Sequence, residues 1–186
     1  MSAIIYQSRV ENLLKQIFPH ENVKREWSIW NGAEDGFRRT KTTYAPRLDI
    51  AVGPFNTTTE NRHADTTAMR VFNEHPLIEA VILKGQEENQ NWQYNSNPRC
   101  LLAIEIEYSG SSKHILGDYT NASMMGHIGV VVSFAGNYEK ISRVGEYVKT
   151  LRQLEKAPVD LFCNTVHYRE DEFETLLRRH IPQNQV

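Results

Sequence analysis

Two short segments of the chain set carboxylic acids inside an apolar strand pattern: Arg47-Leu48-Asp49-Ile50-Ala51-Val52 and Leu102-Ala103-Ile104-Glu105-Ile106-Glu107. Side chains alternate between the two faces of a strand, so Leu48, Ile50 and Val52 are expected on one side and Asp49 on the other. In the second segment Leu102, Ile104 and Ile106 share one face, and Ala103, Glu105 and Glu107 share the opposite one. Glu105 and Glu107 then lie about 6.5–7 Å apart along one side of the strand, close enough to reach a single site. Carboxylates within runs of this hydrophobicity are costly to desolvate unless a cation neutralises them. A hard divalent cation does so directly, by taking the carboxylate oxygens as ligands. The pattern points to metal-assisted hydrolysis.

A chain of 186 residues suffices for one well-packed domain and is short for two, so residues 1–186 are read as a single domain with a polar insertion at about 54–98. The net charge of −2 argues against a protein that coats nucleic acid by charge alone. Contact with phosphates would fall to local clusters such as Arg38, Arg39 and Lys41, or Arg178 and Arg179. No apolar run reaches the length of a transmembrane helix, and the opening Met-Ser-Ala-Ile-Ile-Tyr-Gln has no secretion-signal pattern. Cys100 and Cys163 stand in apolar stretches without metal-ligand spacing, as buried thiols of a reducing compartment do. A cytoplasmic location with no membrane partner is the expectation.

Periodicity predicts a helix over about 3–18, ended by Pro19, and a strand over 23–30 followed by an Asn31-Gly32 turn. A second strand is expected over 42–52, and a helix broken or started near Pro76 within 65–84. The amide-rich stretch from Gly85 to Asn95 is read as outside the core. Its Asn89, Asn91, Trp92, Tyr94 and Asn95 suit base reading or stacking, or equally a dimer contact or a mobile loop. A third strand covers 100–107, a helix 113–125 and a buried strand 127–134. A helix over 138–155, a short strand over 159–163 and a polar helix over 170–180 complete the chain. The fold class is therefore α/β: a mixed central β-sheet with an αβββαβ core flanked by helices.

This order, with an acid on the second strand and paired acids on the third, resembles the PD-(D/E)XK nuclease superfamily, the restriction-endonuclease-like fold, over roughly residues 3–134. Asp49 matches the first acid of that pattern, with Pro46 three positions before it, and Glu105 matches the second. Glu107 stands where the family usually has Lys, as in members that carry Glu-x-Glu. The resemblance implies a divalent-metal-dependent nuclease acting on DNA, of restriction or repair type, using Mg²⁺ with Mn²⁺ as substitute, and a homodimer where both strands are cut. Asp49 and Glu105 are enough as direct Mg²⁺ ligands, since that ion keeps several waters; the resemblance adds the main-chain carbonyl of Ile106. Glu11 of the first helix falls where several members keep an extra acid. The candidate catalytic set is Asp49, Glu105, Glu107 and Lys113. Glu107 would accept a proton from water or help bind a second metal, and Lys113 would supply the missing cation. Asn121, with Asp118 and Thr120, would line the substrate side of the helix. His114 and His127 have no partners at ligand spacing in the sequence and are read as structural. Two other readings stay open. One is a nuclease-like domain that binds nucleic acid or protein without turnover; the other is a metal-dependent hydrolase of small phosphate esters.

Overall fold

The computed structural model describes residues 2–28, 46–56, 67–158 and 160–183. The Arg38, Arg39 and Lys41 cluster, the Asn31-Gly32 turn and the outer ends of the first two expected strands lie outside the described residues. Helix α1 (Ala3–Ile17) buries Tyr6, Val10, Leu13 and Leu14 at helical spacing, and Pro19 follows its C-terminus because proline cannot continue the ladder. Strands β1 (Val23–Ser28), β2 (Arg47–Val52) and β3 (Cys100–Glu107) form an antiparallel meander. Between β2 and β3 come α2 (Thr67–Arg70) and α3 (Pro76–Glu88). Pro76 opens α3 at a position where no amide hydrogen is needed, and the His75 side chain accepts from the Leu77 N–H at 3.2 Å.

After β3, helix α4 (Ser112–Met125) crosses over to β4 (Gly126–Ser133), which runs parallel to β3. Helix α5 (Tyr138–Gln153) leads to β5 (Thr165–Arg169), parallel to β4, and α6 (Glu170–Arg179) follows. The result is a five-stranded mixed sheet in the order β1-β2-β3-β4-β5, with helices packed against it. Among the described residues no helix is long and apolar enough to cross a membrane.

The sheet is buried on both faces along β3 and β4, where every residue is buried, as a continuous apolar run in a covered sheet requires. One face carries Ile50, Val52, Leu102, Ile104 and Val130 with α1, α3 and α6. Under α4 and α5, Ile115, Tyr119 and Ala122 pack with Val131, Ile141 and Val148. A smaller cluster joins Trp27, Leu48, Ala51, Cys100, Ala103 and Met125.

Three expectations need correction. The stretch before Cys163 is a turn, not a strand: Cys163 N–H reaches Asp160 O, and Phe162 has φ +59°. Leu161 and Phe162 supply apolar contacts to the α4–α5 cluster instead. The strand follows at Thr165–Arg169, where the polar His167 and Arg169 masked the alternation of Val166 and Tyr168. Second, strict alternation fails in β2, because Leu48 packs with Ala51 rather than with Ile50 and Val52. Third, the amide-rich stretch packs: Trp92 lies against the main core. Asn95 Nδ2 donates to the carbonyls of Ser123 and Met124 at 3.0 Å, tying down the end of α4, and Asn89 Nδ2 donates to Cys163 O.

Gly85 shows how tightly that stretch is seated. A Cβ there would meet the Trp92 ring at 2.2 Å. Alanine favours a helix over glycine by about 1 kcal/mol, but forcing a packed indole aside costs about 1–3 kcal/mol. Gly85→Ala is expected to lower the unfolding free energy by about 1 kcal/mol net in urea denaturation. A raised midpoint would show that Trp92 is not held on α3.

Candidate metal centre

The site begins where β2 and β3 part. Their backbone pairing runs Val52↔Leu102, Ala51↔Ala103 and Ile50↔Ile104 and extends no further toward Asp49. Side chains take over from there. The Ile106 N–H donates to Asp49 Oδ2 at 2.7 Å, and the Asp49 N–H donates to Glu105 Oε2 at 3.3 Å. Each strand thus satisfies a buried amide of the other with a carboxylate, which holds the two acids side by side across the gap. On the outer side, Glu26 of β1 has φ +50°, a left-handed conformation uncommon for a residue with a Cβ. Its Oε1 accepts from Gln7 Nε2 at 3.0 Å, and the same amide donates to Asp49 O at 3.0 Å and Asp49 Oδ1 at 3.3 Å. Arg47 Nε lies 2.8 Å from Glu26 Oε2. Gln7 is thus the α1 residue that reaches the site. Glu11, one turn further, is paired instead with Lys15 at 2.7 Å and Arg25 at 3.6 Å.

Glu105 is 4 % exposed, and its Oε1 has no hydrogen-bond partner among the described residues. Burial first, then the charges of Asp49 and Asp118, push its pKa well above the ordinary range, while Asn121 and the Asp49 N–H act the other way. Asp49 is pushed up to about 6 by burial, against the Ile106 N–H, with Glu26 and Glu107 adding to the rise. A carboxyl that has lost its water and faces other acids resists ionisation.

Glu107 is built differently. It is 3 % exposed, yet Oε1 accepts the N–H groups of Ser109 and Gly110. Its Oε2 lies 2.8 Å from His114 Nδ1. Burial raises its pKa, but bonds from Asp118, His114 and the two amides outweigh that and hold it below the ordinary value. Gly110 is required for this closeness, because a Cβ would fall 2.3 Å from Glu107 Oε2 and 2.8 Å from His114 Nδ1. Lys140 Nζ pins the Gly110 carbonyl at 2.6 Å. His114 is fixed through its backbone: Ser111 caps α4 by accepting the His114 N–H at 3.3 Å. One turn along α4, Asp118 brings Oδ2 to 3.6 Å from His114 Nδ1. Burial, then Glu107, push Asp118 up to about 8, while Glu107 and Asp118 raise His114.

Glu107, His114 and Asp118 each present one ligand atom within 4.8 Å of the others, a group that can hold a metal ion. The sequence shows no partner for His114 because the loop 108–111 separates it from Glu107. The legible signals were the Ser111-x-x-His114 cap spacing and the four-residue step to Asp118. Asn121 acts on Glu105 as a neighbour on the covering helix. Lys113 is exposed and makes no hydrogen bond or ion pair among the described residues. His127 stacks on Tyr94 at 4.6 Å and its Nδ1 lies 3.2 Å from Asn95 O, away from these acids in a structural setting. Comparison with protein-family models, curated proteins and solved structures finds no match to this chain.

A pH consequence follows for the metal-free protein. The pKa of Asp118 in the folded state, about 8, lies above its ordinary 3.8. The folded chain therefore keeps a proton that the unfolded chain has released, and gives it up as pH rises through 8. Stability is expected to fall by on the order of 1 kcal/mol between pH 7 and 9. Asp118→Asn should flatten that fall in denaturant titrations with a chelator present. An equally steep fall in the variant would contradict the assignment.

Proposed function

We propose that the chain is a divalent-metal-dependent nuclease that hydrolyses phosphodiester bonds in DNA, as a restriction- or repair-type endonuclease of the PD-(D/E)XK kind. The observation that carries this reading is the Asp49–Glu105 pair. Its two carboxyls are held across the opening of β2 and β3, with one buried oxygen of Glu105 lacking a hydrogen-bond partner among the described residues. That oxygen, and the raised pKa values of both acids, fit a site completed by a cation. The order of elements supports the same reading: a helix, a three-stranded meander, a crossover helix and a parallel strand.

Asp49 and Glu105 would hold Mg²⁺, or Mn²⁺ in its place, with the main-chain carbonyl of Ile106 as a third donor. Such an ion lowers the pKa of bound water and neutralises charge on the phosphoryl oxygens. The chain itself contributes fixed geometry. The Asp49–Ile106 bond sets the separation of the two strands, and Gln7 holds the Asp49 carboxylate from the α1 side. Glu107, kept ionised by its amide donors, Asp118 and His114, would be the group to accept a proton from an attacking water. A homodimer would present two such sites to the two strands of a duplex.

A second reading, a nuclease-like module that binds without turnover, is favoured by one feature: the cation expected at position 107 is a glutamate, and Lys113 is not drawn in. Supercoiled plasmid separates the two. Cleavage is expected with Mg²⁺ or Mn²⁺, stopped by chelator, and slowed at least about 100-fold in Asp49→Asn and Glu105→Gln. Asparagine at 49 retains an acceptor for the Ile106 N–H, so these variants should keep the fold better than alanine. Cleavage unchanged in both variants would overturn the assignment, and DNA binding without cleavage would favour the second reading.

A further inference from the structure

We propose that the cavity between α4, α5 and β5 is a binding site for an uncharged six-membered ring with a carbonyl edge, as in a pyrimidine base, and that it is separate from the acids at the opening of β2 and β3.

The space comes first. Tyr119 of α4, Tyr138 and Gly145 of α5, and Phe162 and His167 line a cavity of about 170 Å³. A cavity of about 150 Å³ takes one benzene ring, so the space here suits a single ring. Its walls are aromatic: Tyr138 stacks on His167 with ring centres 4.7 Å apart, and Tyr119 lies 5.6 Å from Phe162. Flat side chains of this kind hold a flat guest by face and edge contact. Gly145 keeps the space open. It stands inside a 16-residue helix, where glycine is disfavoured against alanine, and an added Cβ would come to 3.4 Å from Tyr119 Oη.

Two polar groups in these walls are unspent. Tyr119 is 5 % exposed, and its hydroxyl makes no hydrogen bond among the described residues. His167 is 8 % exposed. Its Nε2 lies 2.7 Å from Ser133 Oγ, whose other acceptor, the Tyr168 carbonyl, is at 3.5 Å. The serine hydroxyl therefore donates to Nε2, which leaves the ring hydrogen on Nδ1. That N–H has no acceptor among the described residues. Burial, then Lys84, lower the His167 pKa to about 4, so the ring is neutral at pH 7. Buried polar groups are ordinarily paired, and two neutral donors on one cavity wall call for a guest that carries acceptors.

The rim sets the charge of the guest. It carries Glu88, Glu146, Lys149 and Arg152, two of each sign. Glu146 pairs with Lys149 at 2.7 Å and Glu88 with Lys84 at 3.1 Å, so little field is left to draw an ion in. An uncharged ring with carbonyl oxygens meets the conditions of size, flatness, acceptors and charge together. The cavity is also a site of its own. Glu105, Val131 and His167 form one row across β3, β4 and β5. At ordinary strand spacing His167 stands about 10 Å from Glu105, with Val131 packed under α4 between them.

Saturation-transfer NMR on the purified full chain tests this, with uracil as the probe and toluene and benzoate as comparators. Uracil is expected to bind with a dissociation constant of about 1 mM or tighter. Toluene lacks the carbonyl edge and benzoate carries a charge, so each should bind at least about tenfold more weakly. Tyr119→Phe should weaken uracil about fivefold, the loss of one neutral hydrogen bond. Its unfolding midpoint in urea should stay at the wild-type value, because the hydroxyl gives up no bond within the chain. Gly145→Leu should abolish binding by filling the cavity, with circular dichroism to check the helix, and Asp49→Asn should bind uracil as the wild type does. No saturation transfer to uracil, undiminished binding in Tyr119→Phe and Gly145→Leu, or toluene or benzoate matching uracil overturns the proposal. Neither metal nor nucleic acid enters the titration, so a chain inert towards plasmid leaves its outcome unaffected.

Discussion

The exchange of hydrogen bonds between Asp49 and the end of β3 is the contact on which the rest of the site depends. Two neighbouring strands normally continue a ladder of amide and carbonyl groups until one of them ends. Here the ladder stops at Ile50 and Ile104, and carboxylates bridge the strands beyond that point. A widening sheet would leave buried amides without partners, at about 1–3 kcal/mol each. The acids prevent that loss, and in doing so they are locked into the gap. One geometry therefore stabilises the opening and furnishes it with negative charge. The left-handed backbone of Glu26 and the bridging amide of Gln7 belong to the same distortion, since both converge on Asp49 from its open side.

Placing four carboxyls in and beside one gap has an electrostatic consequence. Asp49, Glu105 and Asp118 are all driven towards their protonated forms, first by burial and then by neighbouring acids: Glu26 and Glu107 on Asp49, Asp49 and Asp118 on Glu105, and Glu107 on Asp118. Glu107 alone is held ionised, because two amides, Asp118 and His114 converge on it. Among the groups acting on these acids, Arg47 and His114 are the cations, and both are largely solvent-exposed. Such exposure leaves their charges screened by water and weakens their effect on buried acids. The cluster is under-neutralised as the protein alone, and that deficit is the electrostatic basis of the proposed cation site.

Much of this was legible in the sequence for a plain reason. Helices α1, α5 and α6 carry clear helical periodicity, and β3 and β4 are apolar runs that only a covered sheet accommodates. The acids at 49, 105 and 107 stood out because they interrupted such runs. What stayed hidden depended on contacts between segments. The β5 strand was masked because His167 and Arg169 alternate with its buried residues, and the apolar side chains just before it serve a turn. The role of Gln7 requires knowing that α1 passes the end of β2. The partnership of His114 with Glu107 requires a loop tight enough to need Gly110, which spacing alone does not reveal. The alternation of β2 broke at Asp49 itself, where the sheet opens and the simple two-residue period no longer applies.

The acids around Asp49 either bind a divalent cation in the folded state or remain an unneutralised cluster. Thermal unfolding at pH 8, followed over increasing Mg²⁺ after chelator treatment, addresses this directly, since a ligand of the native state alone raises the midpoint with its concentration. The midpoint of the wild type should climb steadily with Mg²⁺, while Asp49→Asn should start higher in the absence of metal and respond far less. A wild-type midpoint that does not move with Mg²⁺, or a response undiminished in the variant, would contradict a cation site built on this pair.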